Sequence, residues 1–347
     1  MSAATRPASL WRLSLVLLLA TLALWPAMVL ALAQTPAASR PFAGSPAWIA
    51  YQTAGADGFD HLGLVHPDGT GDHAIMVGLA GGQLLPDWSP DGSHLVYTSR
   101  GGETEPLFVY DIATEEVQQL FPCAAPCVGD DEPVYSPDGT RVAFIRALGP
   151  FVPSEAAGGE VPADCGLWVG DLASGEVTQV TSNTDPPCDR EYNLRWSPDG
   201  TRFTYWRDPY VAGKPAGTSV YVIDADGEHE RQLTDPTIAA GSPDWSPDGE
   251  WIVYSTYPLS EFQCCQVSNL YRLHPDGSGV EQLTFFADHL ERATQPRYAP
   301  DGQWILFTHV TPQARSLWAI PAAGGDPVTI TPGGIYTHPA WQPTGGA

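Results

Sequence analysis

Three kinds of side chain in this sequence could carry chemistry: clustered acids with arginines, histidines, and cysteines. Asp130, Asp131 and Glu132, then Asp189, Arg190 and Glu191, then Glu291 and Arg292 each stand shortly before an aromatic-centred strand segment. Such groups would grip a peptide or a cation, with Phe151, Tyr257 and Phe262 offering apolar contact beside them; charges solvated at loop tips are the plainer reading. His289, Glu291, His309 and His338 hold the residue types of a divalent-metal site, although no tight motif such as H-E-x-x-H supports it. The six cysteines are Cys123, Cys127, Cys165, Cys188, Cys264 and Cys265. An even count suits disulfides, of which Cys123–Cys127, Cys165–Cys188 and a vicinal Cys264–Cys265 are the preferred set among the fifteen possible. A zinc site is less well supported, because no Cys-x-x-Cys pairs with another at finger spacing. The sequence has no G-x-S-x-G nucleophile elbow, no phosphate loop and no dinucleotide fingerprint.

Composition narrows the partners. The 347 residues carry 40 acids against 16 Lys and Arg, for a net charge of −24, and Lys214 is the sole lysine. Nucleic acid needs clustered cations, which are absent, and anionic headgroups would be repelled. The N-terminus reads as a secretory signal. Arg6 and Arg12 precede a long uncharged apolar run, and Ala31-Leu32-Ala33 offers a cleavage site before Gln34. An uncleaved membrane anchor is the rival, and it would be the only membrane attachment. Export to the periplasm or beyond follows from either. The domain reading is 1–33 signal or anchor, 34–45 linker and 46–347 folded domain.

The elements that must position these residues are repeats. Trp88, Tyr135, Trp196, Trp245, Tyr298 and Trp341 each head a copy of one pattern: PDWSPDG, PVYSPDG, LRWSPDG, PDWSPDG, PRYAPDG and a worn PAWQPTG. Copies recur every 43 to 61 residues, a period that implies one stacked supersecondary unit. Each reads as a short aromatic strand, a Ser-Pro-Asp-Gly turn, an apolar strand such as LVYTS, a third strand such as LFVYDI, a Gly-containing hairpin and a fourth strand. The segment from Ala47 lacks its first strand, and the copy at Trp341 lacks its second. Together they complete a sixth unit, so the expected fold is an all-β, six-bladed propeller of four-stranded blades, closed by the C-terminal strand.

The W-S-P-D-G repeats, and YVIDADGEHERQLT at 221–234, resemble the WD40-like (PD40) repeats of the TolB-like propeller family. TolB is the periplasmic component of the Tol–Pal envelope system. It carries an α/β domain ahead of its propeller, whereas about a dozen residues separate Gln34 from the first strand here. Similar repeats occur in prolyl-oligopeptidase-type peptidases and in some lyases. The expected function is a non-enzymatic, monomeric scaffold, without cofactor, for a protein or peptide partner in the envelope. The alternatives are a metal-dependent lyase or hydrolase, with a divalent metal at the channel mouth, and a small-molecule or sugar sensor.

Topology sorts the loops. Ser-Pro-Asp-Gly turns and third-to-fourth-strand hairpins share one face, the bottom. Second-to-third-strand loops and inter-blade linkers share the other, the top, where the long loops and all the cysteines fall. ALGPFVPSEAAGGEVPADC, at 147–165, is expected to be the longest top loop, and the repeat Trp and Tyr residues are expected to be core.

Overall fold

The structure is a computed structural model that describes residues 41–75, 81–154, 159–182, 191–207, 210–211, 214–215, 217–256, 267–287 and 290–343. The signal segment and most of the linker lie outside these. The described strands form six four-stranded antiparallel sheets, one per blade, and a separate two-stranded ribbon at Tyr210–Val211 and Lys214–Pro215. Among the described residues helix is confined to one 3-10 turn, Pro236–Ile238, capped by the Asp235 carboxylate accepting from Thr237 N. Among the described residues no helix is long and apolar enough to cross a membrane.

Blade one shows how the ring closes. Its inner strand is Thr337–Trp341, followed outward by Ile49–Ala54, Asp60–Val65 and His73–Ile75. Ile49 pairs with Trp341 and Ala50 with Ala340. Gln342 fastens the joint: its Oε1 accepts from Trp48 N at 2.9 Å, its N donates to Trp48 O, and its Nε2 reaches Gly92 O. Phe42, expected in a linker, instead packs against Trp304 and Trp341, at ring distances of 5.0 and 5.6 Å.

The other inner strands are Gly82–Trp88, Cys127–Tyr135, Glu191–Trp196, Ala240–Trp245 and Arg292–Tyr298. The second strand of each blade is apolar at successive positions because both its faces are covered. In blade two, Leu95 and Tyr97 pack toward blade one while Val96 packs toward blade three. In blade three, Val142 and Phe144 face blade two, and Ala143 and Ile145 face blade four. The core is therefore six wedges, one between each pair of neighbours, and not a single centre. Trp88, Trp196, Trp245 and Tyr298 lie buried in these wedges; Tyr135 and Trp341 are half-buried.

Four of the bottom turns, in blades two to five, share one hydrogen-bond pattern. Ser89 Oγ donates to Asp91, the same carboxylate accepts from Ser93 N, and Gly92 N closes onto Ser89 O. Gly92 sits at φ 71°, the left-handed backbone that glycine adopts without cost. These bonds hold the Asp91 and Asp138 carboxyls down at about 2.

One expectation needs correction. The stretch 147–165 is not a loop. Strands Arg141–Ser154 and Gly159–Asp171 run on past the blade as a projecting hairpin, pairing Phe151 with Pro162, Val152 with Val161 and Pro153 with Glu160. The long spacing before the next repeat is an extended ribbon, which places Phe151 on a paired backbone.

Candidate functional site

Each inner strand carries one β-bulge, three residues before the repeat aromatic. Leu85, Glu132, Asn193, Ser242, Gln295 and His338 occupy it, all with φ between 48° and 57°. The ladder register shifts at the same place in every blade. A non-glycine residue there costs about 1–2 kcal/mol, and the bulge re-aims the strand inward. Leu85, Glu132, Asn193 and His338 line a common constriction, and hydrogen bonds link several of the bulge residues to one another. Asn193 Oδ1 accepts from Ser242 Oγ at 2.9 Å and from Trp206 Nε1 at 3.0 Å. Glu132 accepts from Asn193 N, and Gln295 Nε2 meets His338 Nε2 at 2.7 Å.

Two residues further along each strand lies a second tier: Asp87, Val134, Arg195, Asp244, Arg297 and Ala340. Asp87 staples blade three by accepting Tyr135 N at 3.0 Å, and Asp244 staples blade six by accepting Tyr298 N at 2.7 Å. Arg195 Nε lies 3.7 Å from Asp244. Burial dominates the electrostatics of both tiers. It pushes Asp87 and Asp244 up against the pull of the arginines. It takes Glu132 to about 8, helped by Asp131, and lowers Arg297 to about 9, helped by Arg195. It also lowers His338 to about 3, helped by both arginines. At neutral pH the two aspartates face two arginines, while His338 is neutral and Glu132 is mostly protonated.

Glu132 also forms part of a larger cavity on the top face. A cleft of about 360 Å³ lies between blade two and the blade-three hairpin, extending to Tyr192 of blade four. Glu103, Glu105, Asp131, Glu132 and Glu160 line it, with Arg100 as its one cation and Val128, Ile145, Phe151 and Pro162 as apolar walls. Arg100 is already engaged, with Asp131 at 2.8 Å and Glu105 at 3.5 Å. The cleft is therefore acidic with a greasy lip, and Phe151 on that lip is 53% exposed.

Of the residues expected at a partner site, Asp131, Glu132 and Phe151 meet in this cleft. Asp130 does not. It is 0% exposed and holds the buried Arg146 by bonds of 2.7 and 2.8 Å, so it cannot contact a partner. Arg292 starts the inner strand of blade six and is not among the lining residues. Glu191 starts the inner strand of blade four, but its side chain is outside the described set, as are Arg190, Tyr257 and Phe262.

For the metal alternative, His309 lies 3.6 Å from Glu291, and burial lowers its pKa. His338 instead sits in the channel against Gln295, and His289 is outside the described residues. Among the described residues Glu291, His309 and His338 do not all three bring ligand atoms within 4.8 Å of one another. The group that does so is Cys123, Cys127 and Asp130, whose cysteines are bonded to each other. Cys165 is also disulfide-bonded, while Cys188, Cys264 and Cys265 are outside the described residues.

Comparison with known proteins places the fold. No family model matches the chain. Uncharacterized protein Atu1656 of Agrobacterium fabrum is 28% identical over 230 residues, 64% of either chain. The chain spans less than two thirds of the length of the first curated relatives it matches, which include peptidases. Among solved structures, TolB from Acinetobacter baumannii has a TM-score of 0.64 at 18% identity, covering 85% of this chain and 66% of that one. An oligogalacturonate lyase in complex with manganese has a TM-score of 0.57 at 20% identity, covering 80% and 72%. At these identities the likeness to the solved structures is one of fold.

Proposed function

We propose that this TolB-like propeller is an exported, non-enzymatic scaffold that captures a protein or peptide partner on its top face. One observation carries the reading. Seven large apolar side chains are exposed among the described residues, and six of them lie on the top face: Phe59, Ile238, Phe285, Leu290 and Ile335 in loops or linkers and Phe151 on the projecting hairpin. Val280, in a bottom hairpin, is the exception. Apolar exposure lying mostly on one face supports placing the interaction surface there. The acidic cleft sets the partner's chemistry: a segment with a Lys, Arg or free amine beside an apolar side chain, drawn in by charge and held by Phe151. Export rests on the apolar N-terminal run and its A-x-A site. The resemblance to TolB, a Tol-Pal system protein, supports a partner in the envelope.

The test is selection from a random peptide library on immobilised protein. Peptides carrying a cation next to an aromatic or aliphatic residue should be enriched, and Phe151→Ser should weaken them about tenfold or more, while Val280→Ser leaves them unchanged. Enrichment of acidic peptides, or equal binding by Phe151→Ser, would refute the reading.

A further inference from the structure

Below the cleft the channel narrows to a cavity of about 10 Å³, room for one water-sized occupant. Glu132, Asn193, Arg195, Arg297 and His338 supply its polar lining. Three buried polar atoms of these residues have no partner: Arg195 Nε, Arg297 Nε and His338 Nδ1. Arg297 is 6% exposed. Both guanidiniums are anchored by their own chain, Arg195 Nη1 on Leu194 O and Arg297 Nη1 on Pro296 O. The 3.7 Å from Arg195 Nε to Asp244 is too long for a hydrogen bond.

All three orphans are donors. Arg Nε–H can only donate. The histidine is settled by its neighbour: Gln295 Oε1 accepts His338 N at 2.9 Å and Thr308 Oγ1 at 3.2 Å, which fixes the amide nitrogen as the atom facing His338 Nε2. Nε2 must then accept, so the neutral ring carries its hydrogen on Nδ1. No acceptor of these residues is left unmatched in the same way. A water has two lone pairs to offer three donors and two hydrogens of its own to place. An anion accepts from all three and asks for no acceptor. Two guanidiniums border the site, and burial pushes the Asp87, Asp244 and Glu132 carboxyls toward the neutral form, which leaves positive charge for an anion to meet.

We propose that the channel constriction binds one monatomic anion of the halide class, held by Arg195, Arg297 and His338. The site does not depend on what the top face captures, so failure of the peptide experiment would leave it standing. The test uses the whole protein, crystallised with sodium bromide and melted in chloride or in gluconate at equal ionic strength. A bromine anomalous peak should lie between the two guanidiniums. The Tm should rise by about 2 °C or more on going from none to about 100 mM chloride, with no matching rise in gluconate. In His338→Leu the chloride response should shrink or vanish. No peak in wild-type crystals, together with equal melting in both salts, would mean that the constriction holds only water and would overturn the proposal. Should the variant fail to fold, the wild-type peak and salt response decide.

Discussion

The Ser-Pro-Asp-Gly turns and the inner-strand bulges both recur from blade to blade, yet they use sequence in opposite ways. In the turns the residues recur with the backbone. Ser89, Ser136, Ser197 and Ser246 each donate to an aspartate two residues on, and each accepts a backbone N–H five residues on. In the bulges the backbone recurs, with positive φ in all six, but the residues are Leu, Glu, Asn, Ser, Gln and His. Where both repeat, the position holds a blade together. Where only the backbone repeats, the scaffold has fixed a place and left its chemistry open, and there this chain is least like itself.

Replacing Glu132 with Gln tests the bulge side of this comparison and should give the largest effect. Burial raises the carboxyl from 4.5 to about 8 in the folded protein. The folded state therefore holds the proton more tightly. The stability this lends is complete below pH 4.5 and is lost as pH rises through about 8, by up to about 1.4 kcal/mol per pH unit. Glu132→Gln lacks that slope, so urea unfolding at about pH 5, 7 and 9 should show the variant gaining steadily on wild type. Parallel curves would mean that Glu132 ionises as it does in water. His338 works in the opposite sense: its contribution is present above 6.5 and fades as pH falls toward about 3. Both proteins share it, so it cancels.

The turn side predicts smaller changes. Ser246→Ala removes the bond to Asp248 and the one from Trp251 N, and should cost about 1 kcal/mol in denaturant unfolding. Blade six already carries that change: Ala299 stands in the serine position, and Asp301 keeps Gln303 N at 2.9 Å. Ala299→Ser should therefore stabilise, by no more than about 1 kcal/mol. If neither substitution moves the midpoint, the recurring serines are not what secures the turns.

The same contrast explains what could be read from the sequence. The blades were legible because Trp88, Trp196 and Trp245 precede turns whose residues dictate the backbone, and because the unmatched ends at Ala47 and Trp341 complete each other. The cleft was half legible. Asp131 and Glu132 stood out as charges before a strand, but nothing marked Asp130 as the one that turns inward to Arg146. Around Phe151 the sequence reads as a loop, because Gly and Pro mask the alternation that pairs Val152 with Val161. The channel was missed. Asn193, Gln295, Arg195 and Arg297 form no motif, and a bulge leaves no composition of its own. A signal did exist: stacking the six repeats puts a polar residue three places before the aromatic in five of them.

Blade one has a consequence for how the molecule is made. Trp48 and Gln342, bonded across the joint, are 294 residues apart. A ribosome delivers Ile49–Ala54 long before Thr337–Trp341, so the open edge of the early strand must wait, unpaired, through the synthesis of five further blades. Pairing over such a span is intrinsically slow, and a waiting edge invites pairing with other chains. The newborn polypeptide is thus most vulnerable to mispairing just before its final strand docks.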